Sequence, residues 1–304
     1  MAKLQYTFKN DLLFKMLFVK YPDLLKKLIS ELISIEYKSI EQFIITNPEI
    51  PPERIGDKFC RLDINMTVNG QRVDLEIQVN DEGDYTERSL FYWAREFSTA
   101  IGSGDDYTSL PRTIIVSILG FNLFTCEEYH SEYQALEVTR HTLLSDKMSL
   151  HYFELPKLPK LRNVENTKEL WLNLFNAKTE EELIIIKSLG VPAMEQAIKA
   201  YHEITAESMF RESERLRIKA SYDEASALNY AEKRGERLGA KRANAKWRGV
   251  VAEKDAALSE KDAALSEKDA ALSEKDAALS EKDAVLSEKD AIIAQLRKQI
   301  DNPS

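Results

Sequence analysis

The sequence predicts an α/β fold in which helices flank a mixed β-sheet, and three observations support this. Residues 59–79 have the pattern of an amphipathic β-hairpin, residues 113–119 that of a buried strand, and helical patterns stand on either side of the hairpin. A short, continuously apolar run such as TIIVSIL at 113–119 is typical of a strand covered on both faces. The order helix, hairpin, helix, buried strand therefore favours a mixed α/β sandwich.

The hairpin is centred on Asn69-Gly70, a dipeptide that strongly indicates a two-residue turn. A turn of that length fixes the register, so Val68 faces Gln71 and Asp63 faces Glu76. Because side chains alternate along a strand, one face is wholly apolar and the other wholly polar. The apolar face holds Leu62, Ile64, Met66, Val73, Leu75, Ile77 and Val79, and the polar face holds Arg61, Asp63, Asn65, Asp74, Glu76 and Gln78.

The polar face sets two carboxylates, Asp63 and Glu76, directly opposite each other, with Asp74 beside them. Like charges paired across strands destabilise a sheet, and a divalent cation would remove that penalty. Magnesium is typically held by one or two carboxylates together with substrate phosphates, an arrangement suited to phosphodiester hydrolysis. The alternative is an amphipathic hairpin whose polar face simply meets water.

Helices are predicted before and after the hairpin. The first covers residues 9–20, where Asp11 either carries chemistry or is a first-turn acid that favours the helix dipole. A helix is also predicted over 86–101, with Leu90, Phe91, Ala94 and Phe97 as its core face. Along another stripe of that helix lie Arg88, Tyr92 and Arg95, which either contact phosphates or form a solvated face. The remaining predicted elements are a helix over 23–33, short strands near 43–45, 132–138 and 149–155, and helices over 166–250 broken at 190–192.

Composition sets few limits on function. The net charge of -9 includes six negative charges from six Glu-Lys-Asp triplets between residues 253 and 290, so it does not exclude nucleic acid as a partner.

No apolar run approaches the ~20 residues that cross a bilayer, and the N-terminus lacks the apolar core of a signal peptide. We therefore expect a cytoplasmic protein with no membrane partner. Two cysteines, Cys60 and Cys126, are too few for a disulfide framework or a zinc site.

The C-terminal part has two unusual stretches. Residues 233–248 contain seven Lys or Arg against one acid, Glu236, and Trp247 in this patch could stack on a base or a partner; the alternative is a solvated helix face.

Residues 253–294 repeat a heptad, EKDAALS and its variants. Because each repeat offers leucine at one core position but Asp or Lys at the other, we predict a solvated single helix or a weak coiled coil. Self-association of the chain through these helices is a further expectation.

Several of these segments together carry a family resemblance. With Asp63, then Glu76 and Gln78 across the hairpin, after FKNDLLFKMLF at 8–18, the sequence resembles the PD-(D/E)XK nuclease family transposases, also called the Rpn family of recombination-promoting nucleases. The segments RSLFYWAREFS, DDYTSLPRTIIVSILGFNLF and YFELPKLPK also match, so the resemblance covers roughly residues 5–160.

The resemblance implies a restriction-endonuclease-like core and magnesium-dependent cleavage of DNA. It maps the metal-binding acids onto Asp63 and Glu76, the usual lysine onto Gln78 and a helix-borne acid onto Asp11. Glutamine is always neutral but still hydrogen-bonds water or phosphate.

The resulting hypothesis is a metal-dependent DNA endonuclease associated with recombination or mobile elements. Asp63 and Glu76 hold one Mg²⁺ or Mn²⁺ ion, Gln78 positions the attacking water, and Asp11 supplies a ligand or a supporting contact. Candidate phosphate contacts are Lys15, Arg88 and Tyr92.

The alternative is a catalytically degenerate nuclease-like protein that binds DNA or acts as a scaffold, which Gln78 and the repetitive tail favour. The predicted regions are a nuclease-like domain over 1–165, a helical region over 166–250 and the heptad tail over 251–304.

Overall fold

A computed structural model describes residues 2–47, 64–161, 164 and 166–301, with side chains up to residue 297. Predictions for Cys60, Arg61, Leu62 and Asp63 therefore lie outside the described residues. Packing divides the chain into two compact units, residues 1–221 and 222–304. The predicted division into three regions stays a prediction, and the packing itself divides the chain once, after Ser221.

Six strands form one mixed sheet in the order β1-β2-β3-β4-β6-β5. Strands β1, β2 and β3 pair antiparallel, β3-β4-β6 pair parallel, and β5 returns antiparallel to β6. The strands are β1 (Phe43–Ile45), β2 (Ile64–Val68), β3 (Gln71–Gln78), β4 (Thr113–Leu119), β5 (His130–Leu136) and β6 (Leu143–Glu154). The helices of the first unit are α1 (Asp11–Lys20), α2 (Pro22–Leu32), α3 (Tyr85–Ser98), α4 (Thr167–Asn176), α5 (Glu180–Ser188) and α6 (Pro192–Ala206), followed by α7 (Ser208–Asp301), which begins there.

The predicted hairpin register is confirmed over the described residues. Val68 pairs with Gln71 and Asn65 pairs with Asp74. Both turn residues have positive φ, +47° at Asn69 and +78° at Gly70, which a two-residue turn of this kind requires and which asparagine and glycine adopt at the lowest cost.

One face of the sheet covers the main core. The predicted apolar side of the hairpin is buried there from Ile64 to Ile77, whereas Val79 is exposed. The main core also contains alternate residues of β4, namely Ile114, Val116 and Ile118, and Phe153 of β6. Buried residues of α1, α2, α4, α5 and α6 belong to the same cluster, which includes Trp171 with no exposed surface. Residues 166–206 therefore fold against the sheet and not as a separate body.

The opposite face is covered by α3, and here the predicted orientation of the helix is wrong. Leu90 and Phe91 of the predicted core face are 42% and 63% exposed, while Tyr85, Ser89 and Tyr92 point inward. The reason is that the sheet face beneath α3 carries polar groups, so hydroxyl side chains on the helix satisfy them. The Ser89 hydroxyl, for example, lies 2.6 Å from the hydroxyl of Tyr152 on β6.

The helical breaks follow capping signals. The predicted break at 190–192 is confirmed, because α5 ends at Ser188 and α6 begins at Pro192. A further break precedes α5, where Thr179 and Glu182 form a capping box that satisfies the first backbone N–H groups of the helix. The helix beginning at Glu180 thus starts where its sequence provides a cap.

In the second unit the heptad array is helical, and the repeat leucines are between 56% and 58% exposed from Leu258 to Leu286. Helix is the state that its Ala, Leu, Glu and Lys content favours. A coiled coil and self-association stay predictions. Across the part of the chain that the structure describes, no helix has both the length and the apolar character that crossing a membrane requires.

Candidate active site

Two acids on the polar face of the hairpin, Asp74 and Glu76, are buried. Asp74 and Glu76 alternate along β3 toward the face covered by α3, and only 6% and 9% of their respective surfaces are exposed. Burying carboxylates is costly unless they are paired or bound to a cation. The interpretation of a polar face that simply meets water is therefore wrong for Asp74 and Glu76, which lie between the sheet and α3.

Tyr85 holds the Glu76 carboxylate from the first residue of α3. Its hydroxyl lies 3.0 Å from Glu76 Oε2 and 2.9 Å from Ser117 Oγ. Ser117 pairs with Glu76 in the register between β3 and β4, so both side chains reach the same face of the sheet. Burial, together with the charge of Glu76, raises the pKa of the Tyr85 hydroxyl well above its usual range. Tyr85 therefore stays protonated and remains a hydrogen-bond donor.

Arg88, one turn further along α3, places a cation over the Tyr85 ring. Its guanidinium carbon lies 5.0 Å from the centre of the Tyr85 ring, a cation–π distance, and its Nη1 lies 2.7 Å from Glu82 Oε2. The buried Nε and Nη2 atoms have no hydrogen-bond partner among the residues that the structure describes. Two donors of a planar guanidinium are thus left for an anion that accepts two hydrogen bonds, such as a phosphate.

Gln78, where the family pattern has lysine, ends β3 two residues after Glu76. Its side chain is half-buried and its Nε2 donates to the Asn80 carbonyl, 3.0 Å away. That contact fixes the amide at the end of the strand, with its oxygen available as an acceptor for water.

Three other predicted site residues have contacts within the chain. Lys15 is 2% exposed and donates to the Asn47 carbonyl, and Tyr92 is 6% exposed on the inner face of α3. Their role as phosphate contacts stays a prediction. Asp11 forms an ion pair with Arg217 of α7, with 3.1 Å between Oδ2 and Nη2, at the start of α1. The described contacts thus bring Glu76, Tyr85, Ser117 and Arg88 together and give Asp11 and Lys15 other partners.

Asp63, the predicted partner of Glu76, lies outside the described residues, so their pairing stays a prediction. Among the residues described on either side of that gap, no group of three His, Cys, Asp or Glu is arranged to hold a metal ion. The donor chemistry nevertheless fits a hard cation, because Asp74 and Glu76 offer only carboxylate oxygens at a buried site.

Tyr85 and Ser117 were not anticipated from the sequence. Ser117 carried a signal, since it places a hydroxyl in the middle of the apolar run TIIVSIL, where a buried polar group requires a partner. Tyr85 carried none, because it stands at the border between a polar loop and a helix and resembles an ordinary helix start.

Comparison with known proteins agrees with this architecture. The model of a family described as PD-(D/E)XK nuclease family transposase matches residues 8–231, well over half of the chain. Comparisons with curated proteins and with solved structures found no match. The predicted restriction-endonuclease-like fold, a mixed sheet with helices on both faces, is confirmed.

Proposed function

Since the chain belongs to the PD-(D/E)XK nuclease family transposases, we propose that it is a metal-dependent endonuclease that hydrolyses phosphodiester bonds in DNA. The observation that carries the proposal is the burial of Glu76 against the Tyr85 hydroxyl, which also reaches Ser117 and whose ring lies under Arg88. A carboxylate held by a dedicated donor beside a cation with unused hydrogen bonds suits a site for a metal ion and a phosphate better than it suits a structural core.

Asp63 and Glu76 are the proposed ligands of one Mg²⁺ or Mn²⁺ ion, with Asp74 close enough along β3 to support them. The ion, when bound, lowers the pKa of a coordinated water and neutralises charge on the scissile phosphate. A family of this type typically uses divalent metals, in agreement with the oxygen-only donor set.

The other side chains have roles that follow from their contacts. Tyr85 fixes the orientation of the Glu76 carboxylate through its hydroxyl, and Arg88 offers Nε and Nη2 to a phosphate oxygen pair. Gln78 accepts a hydrogen bond from the attacking water and so aims it, which is a weaker contribution than the charge of a lysine. Asp11 takes a supporting role only where its ion pair with Arg217 opens.

The proposal is tested with supercoiled plasmid incubated with the full-length protein in magnesium or in EDTA. We expect nicked circles in magnesium and intact supercoils in EDTA. Equal nicking in both buffers would show that the activity does not depend on a metal, and no nicking in either buffer would favour the degenerate alternative.

That alternative, a nuclease-like protein that binds DNA or scaffolds partners without cutting, is favoured by one observation, the neutral Gln78 in the lysine position. Calorimetric titration with Mn²⁺ separates the two proposals. Saturable binding of Mn²⁺ that Glu76→Gln abolishes would favour the enzyme. A protein that does not cut DNA has no need of such a Mn²⁺ site, so the absence of saturable binding would favour the alternative.

Tyr85→Phe is expected to slow nicking by roughly 10–100-fold, because partners that orient a metal ligand typically contribute that much. The variant keeps the ring and its edge contacts but leaves Glu76 and Ser117 without the shared hydroxyl. A purely structural role would lower stability without changing metal dependence. We therefore expect the Mn²⁺ concentration for half-maximal rate to rise, and Tyr107→Phe, at an 81% exposed tyrosine, to leave it unchanged. An unaltered metal dependence in Tyr85→Phe would remove Tyr85 from the site.

A further inference from the structure

The second unit carries a strongly basic segment just beyond the family match. Residues 233–248 of α7 contain Lys233, Arg234, Arg237, Lys241, Arg242, Lys246 and Arg248, and all seven are exposed. The family model ends at residue 231, so this segment is not part of what the match accounts for. Acidic segments stand on both sides, with Asp223, Glu224 and Glu232 before it and the heptad array after it.

The helix gathers most of these charges on one side. At about 100° per residue, five of the seven fall within an arc of about 100°. This basic stripe consists of Lys233, Arg234, Arg237, Lys241 and Arg248. The only acid between residues 233 and 248, Glu236, lies outside the arc. At about 1.5 Å per residue the basic stripe is roughly 22 Å long, which is a continuous cationic ridge and not a scatter of charges.

We infer that the basic stripe binds the phosphate backbone of duplex DNA. A polyanion is the partner that a one-signed ridge of this length fits, because each cation then displaces a condensed counterion. Tyr230 lies in the same arc and Trp247 borders it, both about two-thirds or more exposed, which provides aromatic contacts beside the cations. The choice of DNA over other polyanions rests on the proposed function.

Charge and the absence of an apolar face decide against three other occupants of the basic stripe. Duplex DNA carries one negative charge per about 1.7 Å of axis. The heptad array of the chain itself nets one negative charge per repeat, or roughly one per 10 Å of helix, so it competes poorly for the stripe. A second copy of the stripe would be repelled by the like charge. An anionic membrane is disfavoured because the helix lacks an apolar face opposite the cations, where Arg242 and Lys246 lie.

The test measures DNA binding by the full-length protein in EDTA, where the proposed cleavage cannot occur. A labelled duplex of about 30 base pairs is titrated at several salt concentrations and followed by fluorescence anisotropy. The stripe variant carries Arg234→Gln, Arg237→Gln, Lys241→Gln and Arg248→Gln. The matched control carries Lys254→Gln, Lys261→Gln, Lys268→Gln and Lys275→Gln, which remove the same number of charges from exposed positions of the same helix. Circular dichroism spectra of all three proteins serve as the control for equal helicity.

We expect the stripe variant to bind at least about tenfold more weakly at 100 mM salt, with the slope of log K against log salt reduced by about two to four. The control should stay within about twofold of the parent. Equal weakening in both variants would assign the effect to net charge and overturn the inference, as would unchanged binding in the stripe variant.

Vesicles containing phosphatidylserine form a second arm of the experiment. Loss of vesicle binding with unchanged DNA binding would assign the stripe to a membrane and overturn the inference. Because binding is read without cleavage, failure of the nicking assay leaves this result interpretable. A catalytically inactive protein whose stripe variant still loses DNA affinity would refute the proposed enzyme and support the stripe.

Discussion

Glu76→Gln is expected to reduce magnesium-dependent nicking by at least about 100-fold, equivalent to about 2.7 kcal/mol in activation free energy. The change keeps the volume of the side chain and an oxygen that accepts from Tyr85, but it removes the charge that a cation requires. A lost rate in a protein of unchanged stability separates chemistry from folding, and rates of plasmid nicking beside thermal melts supply the measurement.

Glu41→Gln is the matched control, since Glu41 is exposed beside β1 and the substitution removes the same charge. It should nick at the parental rate. If Glu76→Gln retained a rate within about threefold of the parent, the buried carboxylate would have no catalytic role.

Acidification from pH 7.5 to pH 5 is expected to lower the free energy of unfolding by about 2 kcal/mol through His151. Burial, with His130, Arg112 and Lys168 nearby, lowers the pKa of His151 to about 4, against the opposing influence of Glu132. The neutral imidazole is therefore favoured in the folded chain, while the unfolded chain takes up a proton near pH 6.5. This contribution of His151 to the free energy of unfolding is fully present above pH 6.5 and is lost as the pH falls toward 4.

The surroundings explain why this histidine resists protonation. His151 is 4% exposed, its Nδ1 lies 3.1 Å from His130 Nε2, and its Nε2 lies 3.0 Å from the Ser149 hydroxyl. Glu132 Oε1 is 3.8 Å from the same Nε2, too far for a hydrogen bond. The charged form would thus gain little to offset its desolvation.

Urea unfolding followed by tryptophan fluorescence at the two pH values gives the measurement, and the change between them is the quantity compared. His151→Gln should reduce that change by more than about 1 kcal/mol, whereas His141→Gln, at an exposed histidine, should preserve it. Equal pH dependence in His151→Gln and the parent would assign the acid sensitivity to other groups.

The hairpin shows how far local sequence rules reach. Asn69-Gly70 specifies a turn, the turn specifies the register, and the register places Glu76 on a face with Asp74, all of which the structure bears out. These steps depend on neighbours in the chain, so a single sequence suffices for them.

The orientation of α3 shows where such rules end. Periodicity places Leu90 and Phe91 inside because it counts apolar residues within the helix and has no information about the surface that the helix covers. That surface carries Glu76 and Ser117, and it selects Tyr85 and Ser89 instead. The residue that orients the candidate carboxylate was missed for the same reason, since its role exists only across two elements.

Asp11 and Lys15, the two candidate site residues on α1, also have contacts that their local sequence does not indicate. The family resemblance suggests Asp11, and Lys15 is a candidate phosphate contact on the same helix. Asp11 nevertheless pairs with Arg217, more than two hundred residues away in the chain, and Lys15 donates to a backbone carbonyl after β1. Contacts of such sequence separation arise from the packing of α1 against later elements, which no local pattern reports.

The most direct test of the central claim is the rate at which Asp63→Ala nicks supercoiled plasmid in magnesium, compared with the parent. The hairpin register sets Asp63 opposite Glu76 and the family resemblance makes it a metal-binding acid, so its removal tests both arguments together. We expect nicking by the parent and at least a 100-fold slower rate in the variant, in keeping with the loss of a metal ligand. Cleavage by Asp63→Ala at the parental rate would contradict this assignment of the site.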